Sequence, residues 1–423
     1  MDLLLKGGTI INHDEEAVSD ILIKEGKISK IAKNINTGSK TETIDCTNLI
    51  ITPGLIDMHV HFRDPGLEYK EDIFSGCDAA AAGGVTTCFP MANTKPVNDN
   101  AFLTLYMIDK AKNYGKTDIF PVGAITKGMK GEELAEMGEM KQAGALAFSD
   151  DGLPIVSSEV MRRGLEYASG IGAFIITHSE DLSLVGDGVI NEGEISTITG
   201  LKGIPSEAEE IMISRDILLS KLTGAHIHIA HVSTKGSVDL IRRAKDKGLN
   251  VTCEAAPHHF TFTDEELLNY DTNYKMNPPL RGKEDVEYIK SALKDGTIDI
   301  IATDHAPHHP DEKFVEFDKA PNGIIGLQTL VPLTFKLIDD GIIGLKEFVK
   351  LTSYKPAKIA GLTDRGEIKE GKIADITIID TDKTYLYDDK LNKSKAKNSP
   401  LLGASLQAIA LYTIKRGRIV HKN

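Results

Sequence analysis

The chain has 423 residues, 41% hydrophobic and 26% charged, so composition excludes disorder and supplies enough apolar residue for a large buried core. A formal charge of −13 argues against nucleic-acid or anionic-membrane partners, and no apolar run approaches the ~20 residues that span a bilayer. Four scattered cysteines with no CxxC pair exclude a disulfide framework and a zinc ribbon, which leaves a cytoplasmic protein as the expectation.

Residues 1–52 read as short alternating strands. The opening run MDLLLKGGTIIN has no basic leader and no small-residue cleavage site, so it is read as a strand and not a signal. Lys6-Gly7 and Glu25-Gly26, each between alternating runs, are hairpin signals.

From about residue 53 to residue 360 one unit recurs: a short apolar run, a polar junction, then a stretch with helical spacing. The runs begin at Gly54, Val85, Asp118, Gly144, Ala173, His226, Leu249 and Ile298. They are apolar almost without alternation, as parallel strands buried on both faces should be. The segment EYKEDIFSGCDAAAAGG predicts a helix stopped at Gly83-Gly84. Dividing the length by about 150 residues suggests three domains. Eight strand–helix units in about 300 residues instead match one (β/α)8 TIM-like barrel over 53–364, with a doubly wound open sheet as the alternative α/β fold. Residues 365–423 return to alternating strands. Neither end is long enough to bury a core alone, so 1–52 and 365–423 are expected to form one small composite β-sandwich.

The chain holds 13 histidines and no tryptophan, and nine of the histidines follow the apolar runs. In a strand, residues two apart share a face, so His59 and His61 in DMHVHF present two imidazoles side by side. A lone HxH pair is equally well read as two hydrogen-bonded core histidines. Position decides for metal binding: the fourth, fifth, sixth and eighth runs end in Asp151, His178, His231 and Asp304, and barrel chemistry gathers at the carboxyl ends of strands. Imidazoles plus two carboxylates suit Zn²⁺ or a similar ion. Six ligands exceed one tetrahedral ion but suit two ions about 3.5–4 Å apart that share a bridging carboxylate. Asp151 is the expected bridge and Asp150 its rival, because the strand period lets only one face the site. Asp304 also suits proton transfer between the attacking water and a leaving nitrogen.

Arg63, two residues after His61, shares that strand face and suggests a bidentate carboxylate clamp. Asn93 and Asn277 sit where the second and seventh units leave their strands and read equally well as turn residues. Of His305 and His308, one is expected to touch substrate and the other to support the site. The polar segment from Ala306 to Gly323 is read as a lid. GDGVINEGE lacks a preceding strand and is not read as a dinucleotide site, no GxSxG elbow is present, and Cys253 is read as packing.

DMHVHFRDPG, ATDHAPHHPDEK, the single histidines ending runs five and six, and the tail YKPAKIAGL…GEIKEGKIADITIID together resemble the amidohydrolase superfamily. More narrowly they resemble dihydroorotases of the larger, class I type, over essentially the whole chain. The resemblance implies a barrel with a composite β-sandwich and reversible hydrolysis of a cyclic amide, L-dihydroorotate to N-carbamoyl-L-aspartate, in pyrimidine synthesis. It implies His59 and His61 on one metal, His178 and His231 on the other, and Asp304 as a ligand of the first and as acid/base. It implies further that Arg63, Asn93 and His308 hold the substrate carboxylate while Asn277 and the Asn322–Gly323 backbone contact the ring. Association with a transcarbamoylase belongs to the same resemblance. Hydantoinases, allantoinases and many dihydroorotases bridge their metals with a carboxylated lysine on strand four. GALAFSDDG has none, so an aspartate must bridge, which weakens the reading as another cyclic amidase. A catalytically silent scaffold would have lost ligands, and all are present here.

Overall fold

The computed structural model describes residues 2–39 and 41–423; Met1 and Lys40, both in the segment read as amino-terminal strands, lie outside the described residues. That segment forms β1 (Leu3–Ile11), β2 (Glu16–Lys24), β3 (Lys27–Ala32), β4 (Glu42–Asp45) and β5 (Ile50–Pro53). Next come β6 (Leu55–Val60), β7 (Val85–Pro90), β8 (Asp118–Ile119), β9 (Ala147–Phe148) and β10 (Phe174–Thr177). After these lie β11 (Ile190–Asn191), β12 (Gly203–Ile204), β13 (Ile227–Ile229), β14 (Val251–Ala255) and β15 (Ile300–Ile301). The chain ends with β16 (Ile376–Leu386), β17 (Ser405–Lys415) and β18 (Arg418–Lys422).

The two expected hairpin turns part company. Glu25 and Gly26 both take left-handed backbone (φ 50° and 75°), the conformation of a two-residue turn between right-twisted strands, and they join β2 to β3. Arg416 and Gly417 do the same between β17 and β18. Lys6-Gly7 does not turn: β1 runs through it, and Gly7 (φ 74°) forms a bulge in the β1–β2 pairing. A left-handed glycine serves a bulge as well as a turn, so the dipeptide by itself does not distinguish them.

Strands from both chain ends share one sheet, in the order β18-β17-β16-β5-β1-β2-β3 with β4 beside β1. Its last strand meets the approach to β16 where Lys27 pairs with Ile373, so the sheet folds back on itself around Leu5, Ile21, Ile23, Ile51, Ile376 and Ile414.

The remaining long-range pairing is parallel, β6-β7-β8 and β9-β10-β13-β14-β15, while β11 and β12 form a separate pair. Single bridges link the two parallel sets at both edges, Gly123 to Phe148 and Val60 to His305. Every residue of β6 and β7 is buried. Ile56, Met58, Phe89, Met91 and Ile176 pack together on one side, while Leu55, Val60 and Val85 join the core shared with the helices on the other. Two covered faces leave no polar face to alternate with, which is why these runs read as continuously apolar. Between β6 and β7 lies α1 (Ile73–Ala82), started by Asp72 and Ser75 in a reciprocal capping box and stopped at Gly83, as predicted. Between β7 and β8 lies α2 (Ala101–Tyr114), capped by Asn100 and Gly115. Among the described residues, no helix is long and apolar enough to cross a membrane.

Candidate active site

The six side chains predicted as ligands meet at the carboxyl ends of the parallel strands. His59 lies within β6 and His61 just past it, Asp151 follows β9, His178 follows β10, His231 follows β13 and Asp304 follows β15. The backbone N–H of His61 donates to the His305 carbonyl at 2.8 Å, which brings the exits of β6 and β15 side by side and sets Asp304 against His61.

Asp151 stands at the centre. Its carboxylate oxygens lie 3.3 Å from Nε2 of His59, 3.5 Å from Nε2 of His61, 3.6 Å from Nδ1 of His178 and 3.6 Å from Nε2 of His231. Asp304 Oδ1 lies 3.0 Å from Nε2 of His61 and 3.5 Å from Nε2 of His59. Two groups thus share one carboxylate: His59, His61 and Asp151, and Asp151, His178 and His231. Donor atoms 2.0–2.1 Å from one tetrahedral ion lie about 3.4 Å apart, which these separations match. His59 Nε2 and Asp151 Oδ1 are moreover buried with no hydrogen-bond partner, a costly state that a cation between them relieves. The donor set fits a divalent metal site.

Burial on its own would raise both carboxyls, but the surrounding imidazoles, His59 first, hold Asp151 and Asp304 below the ordinary carboxylate range. Burial likewise disfavours a charged His178, yet Asp151 and Glu180 raise it to about 10. A field that favours imidazolium also favours a divalent cation, and protons and metal compete for the same nitrogens.

Asp150 points elsewhere. Its carboxylate accepts from the backbone N–H groups of Ile125 (2.7 Å) and Thr126 (3.1 Å) and from the Thr126 hydroxyl, which ties β9 to the preceding loop.

Residues that sequence reasoning passed over complete the site. Glu254 of β14 is fully buried; it accepts from Nδ1–H of His59 at 2.6 Å and from Nε2–H of His228 at 3.1 Å. Holding the Nδ1 proton there leaves the Nε2 lone pair free toward Asp151. The signal available was a carboxylate inside an apolar strand, which stays buried only if paired. Asp57 accepts from the backbone of His59 and Thr303 and from the Thr303 hydroxyl, pinning β6 to the segment that carries Asp304. Replacing Glu254 with Gln is expected to weaken metal binding by about 10–100-fold, read as metal retained after dialysis, with the fold preserved.

A cavity of about 220 Å³ above the histidines is lined by Arg63, Asn93, Asn277, His308, Asn322 and Gly323, together with five of the six ligand candidates. Every residue predicted to touch substrate therefore lines one pocket, though several arrive differently from expectation. Arg63 is not on a strand face: β6 has ended, its φ is 60°, and Nε–H donates to the Pro307 carbonyl at 3.2 Å. Asn93 Oδ1 accepts from Nδ1–H of His61 at 2.9 Å, so this side chain orients an imidazole as well as lining the pocket. Asn277 comes well after β14, beyond a helix at Pro257–Thr261, and its amide lies 3.4 Å from His178 Nε2.

Of the paired histidines, His308 faces the pocket and donates from Nε2–H to the Asn322 carbonyl at 2.9 Å; burial, then Arg63 and Lys70, push its pKa down to about 3. His305 turns away, with Nδ1 accepting from the Gly326 N–H at 3.1 Å. His258 and His259 are buried beside each other, and His259 bonds the Pro278 carbonyl at 3.0 Å. The 306–323 segment is fastened by the Gly323 N–H to the Lys275 carbonyl and by Lys313 Nζ to the Thr272 carbonyl at 2.8 Å.

Residues 48–237 match the family model described as Dihydro-orotase-like, and residues 222–421 match the Amidohydrolase family. The chain is 55% identical to the dihydroorotase of Geobacter metallireducens and 54% identical to that of Geotalea daltonii, in each case over 100% of both chains. Its structure is similar to that of L-hydantoinase (dihydropyrimidinase) from Arthrobacter aurescens, with a TM-score of 0.90 and 26% identity over 100% of this chain and 96% of that one. For the dihydropyrimidinase of Brevibacillus agri the TM-score is 0.85 at 24% identity over 100% and 95%, a likeness of fold. With whole-length identity of this degree and two histidine pairs around a shared aspartate, the chain belongs to the dihydroorotase family of amidohydrolases.

Proposed function

We propose that this enzyme interconverts L-dihydroorotate and N-carbamoyl-L-aspartate by metal-dependent hydrolysis of the cyclic amide. The observation that carries this is the meeting of both histidine pairs on Asp151 beneath a pocket that holds Arg63, in a chain aligned end to end with dihydroorotases.

In this reading His59, His61 and Asp304 hold one divalent ion, His178 and His231 hold a second, and Asp151 lies between them. The imidazole-rich donor set suits Zn²⁺. Such ions, when bound, polarise a carbonyl and acidify a water molecule. Asp304 takes the proton from the attacking water as the new C–O bond forms, then delivers it to the ring nitrogen as the C–N bond breaks. Glu254 and Asn93 keep the Nδ1 protons of His59 and His61 in place throughout. Arg63 clamps the substrate carboxylate, and neutral His308 fixes the Asn322 carbonyl at the ring edge. An aspartate at the bridging position supports the class I type.

Two further parts of the reading concern architecture. The edge bridges support closure of the parallel strands into a (β/α)8 barrel over 53–364, and the folded-back terminal sheet supports a composite sandwich of 1–52 and 365–423. Four buried, free cysteines support a cytoplasmic setting. Association with a transcarbamoylase is tested by co-elution of the two enzymes on gel filtration.

The decisive experiment assays both directions of the reaction alongside metal analysis. Turnover of hydantoin without turnover of dihydroorotate would transfer the site to the second reading, a hydantoinase, which the likeness to L-hydantoinase favours. Arg63→Met separates them further: KM for dihydroorotate is expected to rise about 10–100-fold with a smaller change in kcat, since a charged hydrogen-bonded pair is worth about 1.5–3 kcal/mol. A KM unchanged by that substitution would remove Arg63 from the substrate site.

A further inference from the structure

A second cavity is larger than the one above the histidines. A cleft of about 820 Å³ opens between the terminal sheet and the parallel strands. Strand pairing sets Asp118 beside Thr87 and Thr87 beside Ile56, ahead of His59 on β6, so the cleft lies toward the amino-terminal ends of the strands, opposite the metal site. Its walls are the two type I′ turns, Glu25–Gly26 and Arg416–Gly417, together with α2 and β8.

Charge makes this cleft unusual in a chain of formal charge −13. Lys112, Arg365, Lys415, Arg416 and Arg418 line it against only Glu25 and Asp118. Arg365 and Lys415 are each 6% exposed. Both converge with Arg416 on the single carboxylate of Asp118, at 3.1, 2.6 and 3.2 Å, and Arg365 is paired further with Asp364 at 3.0 Å and Asp375 at 3.7 Å. Lys112 and Arg418 are exposed and enter no ion pair among the described residues. Beside the cations lies an apolar patch of Ile108, Ile119 and Phe120, with the Arg365 guanidinium 5.7 Å over the Phe120 ring.

We propose that this cleft binds a nucleoside polyphosphate. The phosphates meet Lys112 and Arg418, the two cations of the cleft that no carboxylate pairs among the described residues, with the exposed Arg416, which shares Asp118 with Arg365 and Lys415, as a third. The flat base lies on Ile108, Ile119 and Phe120, an apolar surface edged by polar groups within the size range of small-molecule sites. Because both hairpin turns and α2 contribute, occupancy fastens the terminal sheet to the parallel strands and raises the unfolding temperature by linkage.

The test is calorimetric titration of the intact, metal-loaded enzyme with ATP, UTP and inorganic tripolyphosphate, each as its Mg²⁺ complex. Both nucleotides are expected to bind, tripolyphosphate about 10-fold more weakly, and all three less tightly as salt is raised. The double substitution Lys112→Ala/Arg418→Ala should weaken nucleotide binding by at least about 10-fold and leave nucleotide-free turnover unchanged, because both side chains are exposed and unpaired. Arg63→Met should leave nucleotide binding intact, which separates this cleft from the catalytic pocket. No binding up to about 5 mM, or binding indifferent to the double substitution, overturns the site. Tripolyphosphate binding as tightly as the nucleotides overturns the nucleoside assignment.

Discussion

Asp304→Asn is expected to lower turnover in both directions by at least about 10³-fold while the protein folds normally. In the proposed reaction this carboxylate moves a proton between water and the leaving nitrogen, a function worth about 10²–10⁴-fold, and it lies against both histidines of the first pair. The backbone at Asp304 is left-handed (φ 48°), a conformation asparagine tolerates, so the substitution removes charge and proton capacity without straining the chain. Steady-state assays in both directions, with circular dichroism and metal content measured on the same sample, check it. A variant retaining a tenth of the normal rate would take the acid/base role away from this residue.

The second large effect separates two neighbouring aspartates. Asp151→Ala should strip the enzyme of most of its metal and lower kcat/KM by about 10³-fold or more, because four imidazoles lie within 3.3–3.6 Å of that one carboxylate. Asp150→Ala should instead retain metal and lose stability, by about 2–3 kcal/mol, because it leaves the buried N–H groups of Ile125 and Thr126 without their acceptor. Metal analysis paired with the denaturation midpoint distinguishes the variants. The reverse pattern, metal lost from the Asp150 variant and stability lost from the Asp151 variant, would exchange their roles.

These two residues also show where sequence reasoning stops. Strand periodicity says that only one of Asp150 and Asp151 faces the site, but β9 ends at Phe148, and beyond a strand end the period no longer applies. The choice is made by the third unit's loop, where Ile125 and Thr126 present donors that capture Asp150. Arg63 repeats the lesson: its spacing from His61 suggests a shared strand face, whereas it reaches the pocket through a left-handed turn after β6. Asn93 is readable as a loop residue near the site, but its hydrogen bond to His61 depends on two strands meeting. Glu254 was open to notice as a buried carboxylate, yet nothing local names His59 as its partner across 195 positions.

What the amino-acid order determined by itself is what local chemistry dictates. The continuous apolar runs, the Gly83 stop of α1, the Glu25-Gly26 turn and the pairing of His59 with His61 all follow from backbone preferences over a few residues. The residue types able to bind metal at the strand ends are legible for the same reason. Tertiary structure alone decided which donors share Asp151, which histidine of His305 and His308 faces the pocket, and which acceptor holds each imidazole's proton. Those choices turn on contacts between segments far apart in the chain, where a rotation of one backbone angle after a strand end sends a side chain into the site or away from it.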